Sequence, residues 1–238
     1  MPAIKAEEIR HECIKPGVLS VAINLGNPVL ARQDAHGELQ GLSVVLAKKL
    51  TSALGCSLEM HTYSTAGKVV EDSTRRCWDI AFLAIDPKRA QQLSFTRPYI
   101  TIEGTYLVAE SSPWQNVDQL DQAAITINVG KGAAYDLFLT RHLNHASLNR
   151  LETSHSAIER FLAGEGDVVA GVRQPLQQAA SVHAGYRVLA DSFTEIQQAI
   201  CTPRGNERLF AFISGQITEW LDSGEVARMK AAEENPAF

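Results

Sequence analysis

Arg89 is the residue of this chain whose type and setting point most directly to chemistry. It lies in the stretch CWDIAFLAIDPKRAQQLSFTRPY, from Cys77 to Tyr99. The run 79–85 (DIAFLAI) is short and apolar, the pattern of a strand buried on both faces. Asp86-Pro87 then reads as a helix start, with Asp86 as N-cap and Pro87 as the first helical residue. Arg89 falls in the first turn of that helix, just beyond the carboxyl end of a buried strand. Open α/β sheets usually hold their ligands at that edge. A guanidinium there can grip a carboxylate through two parallel hydrogen bonds. The local pattern alone fits a surface arginine near a helix start equally well.

Other chemistries find little footing. The cysteines, Cys13, Cys56, Cys77 and Cys201, are scattered, with no C-x-x-C pair and no histidine at zinc-finger spacing. They read as mostly free, buried thiols, since a domain of this size does not need disulfides. The histidines form no H-E-x-x-H set, and His142, His145 and His155 fall in a polar helix-and-loop region. Neither a metal nor another cofactor is expected. A net charge of −5 with no basic block argues against a nucleic-acid surface. Hydrophobic content of 45% and charged content of 21% are those of a soluble globular protein. No apolar run approaches a membrane span. The opening MPAIKAEEIRHECIKPG has no apolar core for a secretory signal. The expectation is either a protein kept in the cytoplasm or one whose export signal is missing, and Met1 favours the first.

The elements around Arg89 alternate. An amphipathic lead-in at 3–13 is followed by a strand at 18–23 (VLSVAI), which opens into the turn-rich Asn24-Leu25-Gly26-Asn27-Pro28. His36-Gly37 turns a small hairpin. A helix is predicted over 42–54, stopped by Gly55. A strand follows at 57–63, a helix at 68–76 and the strand before Asp86. This strand–helix order is the grammar of a mostly parallel sheet. After a strand at 101–108 the pattern restarts. It continues with a helical turn at 117–120, a strand at 124–129, and Gly130-Lys131-Gly132-Ala133-Ala134 leading into a helix to about His142. Strands at 148–151, 168–172 and 187–189 alternate with helices at 156–163 and 175–183. A strand at 195–202, a closing helix at 209–221 and a charged tail complete the chain. No internal repeat is visible.

This order, with these phrases in it, resembles the family 3 solute-binding proteins, the bilobed receptors of bacterial amino-acid ABC transporters. The matching phrases are G-x-L-x-V-A from Gly17, G-x-x-x-x-L-A-x-x-L from Gly41, W-D-I-A from Trp78 and P-x-R-A-x-x-L-x-F-T-x-P-Y from Pro87. The G-x-G-x-A turn at Gly130 and A-G-x-G-D-V-V-A from Ala163 complete the set. They run in family order over nearly the whole chain, and the phrase from Pro87 is the most specific. The resemblance implies a periplasmic-binding-protein-like type II fold, an α/β class with two mostly parallel sheets joined by two hinge strands. Lobe 1 would take residues 1–107 and 200–238, and the inserted lobe 2 would take 108–199. The segments 101–108 and 195–202 would be the hinge strands. Closure of such lobes traps a ligand and shifts the population from open to closed.

The resemblance also assigns residues. Arg89 falls on the arginine that holds a ligand α-carboxylate. The Ser and Thr often found before it are replaced by Ala84 and Asp86. The aromatic that commonly stacks on the ligand is replaced by Gly26-Asn27, which places Asn27 at the site. Backbone N–H groups of Gly132, Ala133 and Ala134, at a helix start, could help bind the anion; a tight strand-to-helix turn needs Gly there in any case. The lobe 2 acid that pairs with an amino acid's ammonium has Val172 at its position, followed by Arg173. An apolar residue cannot neutralise a buried ammonium. Arg89 and Arg173, with Lys131 at the cleft edge, therefore suggest an anionic ligand such as a dicarboxylate or oxo acid. Arg173 reads equally well as a solvated residue outside the cleft. Glu103 could instead meet the cation of a zwitterion, and Gln197 and Gln198 are possible neutral contacts.

The function expected is non-catalytic binding of a small anionic or zwitterionic carboxylate, by a monomer whose macromolecular partner would be an ABC permease. The resemblance implies a periplasmic location, whereas the start of the chain argues for a cytoplasmic sensor. The competing function is an enzyme of the cyclohexadienyl dehydratase type, which shares the fold and for which Glu103 is the candidate general acid. An effector domain of a transcription regulator is a third possibility, without a helix-turn-helix segment to support it.

Overall fold

A computed structural model describes Ile9 and residues 11–234. The lead-in expected at 3–13 lies for the most part outside the described residues. The chain divides into two compact units. One comprises the chain up to Ser64, Lys68–Ile100 and the chain from Gln197 onward; the other comprises Thr65–Gly67 and Thr101–Ile196.

The first unit is built on strands β1 (Val18–Asn24), β4 (Ser57–Tyr63) and β5 (Ile80–Ala84). The short strands β2 (Arg32–Gln33) and β3 (Leu39–Gln40) form the hairpin turned at Gly37. β1 lies between β4 and β5, parallel to both. β5 is in turn covered on its other edge by the antiparallel strand β12 (Thr194–Pro203), which also carries β6 (Leu93–Phe95). Strand neighbours on both edges and helices packed on the sheet explain why every β5 residue is buried, as its unbroken apolar run predicts. Helix α1 (Leu42–Leu54) has the predicted bounds. Gly55 ends it in the left-handed conformation, donating its N–H to the Ser52 carbonyl. At its start, Gly41 has φ +113°, and a Cβ there would lie 2.4 Å from the Leu30 carbonyl oxygen.

Helix α2 (Ala66–Ser73) is shorter than predicted. The predicted charged tail is also helical: α6 (Glu207–Asp222) is followed by α7 (Glu225–Glu234). Lys49 of α1 fixes this end, pairing with Glu225 while its ammonium lies 5.2 Å from the Trp220 ring centre.

The buried carboxylate of Asp79 fastens the entry to this unit. It accepts hydrogen bonds from the N–H of Ile14 at 2.9 Å and of Ser20 at 2.8 Å, while its own N–H donates to the Ser20 carbonyl. Trp78, also buried, donates its indole N–H to the Val69 carbonyl. The W-D pair is therefore a structural lock between α2, β1 and the incoming chain.

The second unit repeats the plan. β8 (Thr126–Gly130) pairs in parallel with β9 (Ser147–Leu151) and β10 (Val168–Val172). Antiparallel to these runs β7 (Ile100–Ala109), which pairs with β10 and with β11 (Tyr186–Val188). Helices α3 (Ala134–His142), α4 (Ser154–Leu162) and α5 (Arg173–Val182) connect them. Thr153 caps α4 through its hydroxyl, accepting from the Ser156 N–H at 3.0 Å. Leu107, Phe161, Val169 and Leu176 centre this unit's core. β7 carries the chain across the boundary at Ile100–Thr101 and β12 across the one at Ile196–Gln197.

Two stability outcomes follow. Asp79→Ala leaves one buried and one partly buried N–H group without this partner and should cost about 2–4 kcal/mol, seen as a lower urea midpoint. Burial raises the Asp79 carboxyl above its ordinary value, against the two N–H donors and Arg76. The folded state thus binds this proton more readily than the unfolded chain. Its contribution is fullest below the unfolded pKa near 4 and declines as pH rises through the folded value, so the gap between wild type and variant should narrow from pH 4 to pH 7. Gly41→Ala should cost a further, independent ~2–4 kcal/mol, through backbone strain and the Leu30 overlap. An unchanged midpoint in either variant would contradict these assignments.

Candidate functional site

Arg89 sits where the sequence puts it, past the carboxyl end of β5, but the helix predicted from Asp86 is only a single 3₁₀ turn, Arg89–Gln91. The cap is real nonetheless: the Asp86 carboxylate accepts from the N–H of Lys88 at 2.8 Å and of Arg89 at 3.4 Å. The turn is short because the chain re-enters the sheet as β6 two residues later. The Arg89 side chain is 3% exposed, and its Nη1 donates to the Ala84 carbonyl at 3.0 Å. Burial pulls the guanidinium below its ordinary pKa, with Asp86 first and Cys201 second holding it up. Ala84 contributes this carbonyl, and its side chain is buried.

Parallel pairing of β1 with β5 sets their following loops at the same sheet edge. Asn27 is on the first of these loops and is 9% exposed, and its buried Oδ1 meets no hydrogen-bond donor among the described residues. Gln198 of β12 is registered opposite Ala84 and is buried, whereas Gln197 is exposed. Asn27, Ala84, Asp86, Arg89 and Gln198 thus gather at one edge of the first unit. Sequence reading treated the two glutamines alike; alternation along β12 is the signal that separates them.

In the second unit most of the expected residues have partners within the chain. The N–H of Gly132 donates at 2.8 Å to Asp136, a residue of the helix it precedes. The Ala133 N–H donates to the Gly130 carbonyl at 3.1 Å and the Lys131 N–H to the Leu151 carbonyl at 2.8 Å. A carboxylate of the chain thus lies at this helix start, buried and paired with Arg150 at 2.9 Å. The glycines have packing reasons: a Cβ on Gly130 would lie 2.6 Å from the Ser154 nitrogen, and Gly132 has φ +74°. Ala134 opens α3, and Lys131 is exposed.

Arg173, expected just before a helix, is the first residue of α5, with Val172 as its cap position. Its side chain is neither solvated nor arranged as an open anion grip. Nε pairs with Glu103, Nη1 donates to the Leu189 carbonyl at 2.9 Å, and Nη2 donates to the carbonyls of Ala190 at 3.1 Å and Asp191 at 2.9 Å. The planar fork ties β7, α5 and the 189–191 segment together. Glu103 and Arg173 satisfy each other, which weakens both the anion-grip reading of Arg173 and the cation-contact reading of Glu103. Val172 remains the residue with no charge to offer. No group of metal-ligating side chains, and no helix long and apolar enough to cross a membrane, is present among the described residues.

Comparison with known proteins agrees with this architecture. Residues 19–232 match the family model of the bacterial extracellular solute-binding proteins, family 3. A curated relative, the cyclohexadienyl dehydratase of Pseudomonas aeruginosa, is 25% identical over 172 residues, covering 70% of this chain. The match spans 64% of that enzyme's length. The amino-acid ABC transporter substrate-binding protein AbpA of Streptococcus pneumoniae, solved with L-arginine, superposes with a TM-score of 0.80 at 20% identity, covering 95% of this chain and 97% of that one. A variant of the arginine-binding protein of T. maritima gives 0.79 at 19% identity, with the same coverage. These likenesses establish the expected two-lobed binding-protein fold. By the family match over nearly its whole length, the chain belongs to the bacterial extracellular solute-binding proteins of family 3.

Proposed function

We propose that the chain is a non-catalytic receptor that closes two lobes on a small carboxylate-bearing solute, amino-acid-like or an organic acid. It would deliver that solute, as a monomer, to an ABC permease or report its level. The family's extracellular description favours work outside the cytoplasmic membrane. The observation that carries the reading is Arg89, a buried cation at the carboxyl end of a buried strand, beside a buried carbonyl and carboxylate. Such a group offers a carboxylate paired, directional donors in a medium where they count for more than in water. The Asn27 Oδ1 adds a buried acceptor suited to a hydroxyl or N–H of the ligand.

Val172 shapes the specificity. Without an acid at that position, an α-ammonium has no charged partner from β10. The preferred ligands are then acids without an ammonium, or zwitterions whose cation is met elsewhere. The dehydratase relative supports a second reading, with Glu103 as acid. Glu103 is instead engaged by Arg173 and stands half exposed, a poor setting for general-acid chemistry.

The test is a thermal-shift and calorimetric screen against amino acids, dicarboxylates, oxo acids and prephenate. A true ligand at 100 times its Kd should stabilise the protein by about 2.7 kcal/mol. Arg89→Ala should weaken binding about 100-fold or more, and Arg89→Lys should restore only part of it. Tight binding of a plain α-amino acid that survives Arg89→Ala would end the proposal, and steady loss of prephenate would promote the enzyme. Val172→Asp should strengthen α-amino-acid binding about tenfold or more and weaken that of ammonium-free acids. Equal effects on both classes would show that Val172 does not set the choice.

A further inference from the structure

Cys13 and Cys56 are far apart in sequence and adjacent in the first unit. Both pack on the same apolar cluster, under α1 and beside β1 and β4. The backbone brings them there. Lys15 and Val18 bridge across the Pro16-Gly17 turn, and Ser57, next to Cys56, donates its N–H to the Gly17 carbonyl at 2.9 Å. The Cys13 thiol donates to the Ile9 carbonyl at 3.8 Å, and Cys56 is near enough to be among the groups that push this thiol up. Cys13 is buried, Cys56 is partly exposed, and Cys13 lines an open cavity of about 570 Å³ shared with His11, Arg76 and Asn206.

We propose that Cys13 and Cys56 form a redox pair that closes to an intramolecular disulfide on meeting a small-molecule disulfide oxidant. The partly exposed Cys56 loses its proton and attacks one sulfur of the oxidant, releasing one thiol and leaving a mixed disulfide. Cys13, on losing its proton, attacks the Cys56 sulfur. The protein disulfide forms as the second thiol leaves, so two protein thiols and one oxidant disulfide become one protein disulfide and two small thiols. The order of attack follows from exposure and from burial pushing the Cys13 thiol up to about 12. The bond would close a loop of about forty residues and fasten the incoming chain to the α1–β4 connection. Disulfides of this kind persist in oxidising compartments.

The test uses the full chain with Cys77, which is exposed, replaced by serine to prevent pairing between molecules. Samples held in oxidised glutathione or in dithiothreitol are acid-quenched, alkylated in denaturant and mapped by mass spectrometry. Oxidation should remove Cys13 and Cys56 from alkylation, leave Cys201 labelled, and yield a cross-linked 13–56 peptide. The melting temperature of the oxidised protein should exceed that of the reduced one by about 5–10 °C. A further Cys56→Ser change, or Cys56→Ala where serine is poorly tolerated, should abolish the difference. Full alkylation after oxidation, glutathione retained on Cys56, or a bond involving Cys201 would overturn the proposal. The peptide map on the Cys77→Ser protein decides this whether or not the further variant folds.

Discussion

A guanidinium can be kept almost free of water only where the chain supplies oxygens in the right places. The first unit is arranged to do this for Arg89. β5 is buried along its whole length, so its last carbonyl, that of Ala84, emerges into a dry setting and can accept from Nη1. Asp86 follows at once, organising the turn through the N–H groups of Lys88 and Arg89 while placing a negative charge beside the cation. The immediate return of the chain as β6 prevents a longer helix. Burial without these partners would cost several kcal/mol. With them, the guanidinium is held in place by the chain itself.

The second unit uses similar residue types for a different end. Asp136 accepts from the Gly132 N–H before α3, and Arg173 spends its fork on Glu103 and three carbonyls. Charge placed at a strand's carboxyl edge is thus not by itself a binding site. What distinguishes Arg89 is that the same sheet edge also carries Asn27, whose buried Oδ1 meets no donor among the described residues. In Arg173 the oxygens of the chain already do the work that a ligand would do.

Most of the fold was legible because its signals are local. The apolar run of β5, the period of α1 with Gly55 behind it, and the alternation of β4 each report a single physical preference. The errors came where distant chain decides the outcome. The turn at Arg89 is cut short by pairing of β6 with β12, which no local pattern announces. The tail becomes α7 because Glu225 can meet Lys49 and Val226 can join the core, contacts formed across most of the sequence. Within the site, Arg89 was legible because a capped turn after a buried strand is a local arrangement. The fates of Arg173 and Gly132 were not, since they depend on carbonyls at 189–191 and on a carboxylate whose direction only the folded helix reveals.

The two ten-residue strands β7 and β12 have the same pattern of buried and exposed positions and bracket a unit that, apart from Thr65–Gly67, is continuous in sequence. The first unit is not continuous. Its sheet lacks an edge until β12 is made, and α1 lacks its Lys49 partner until Glu225 arrives. As the chain leaves the ribosome, the middle unit can close its own core first. The unit that holds Arg89 must wait, half assembled, until β12 and Glu225 have been synthesised. Arg89 is therefore among the last groups of this unit to become dry.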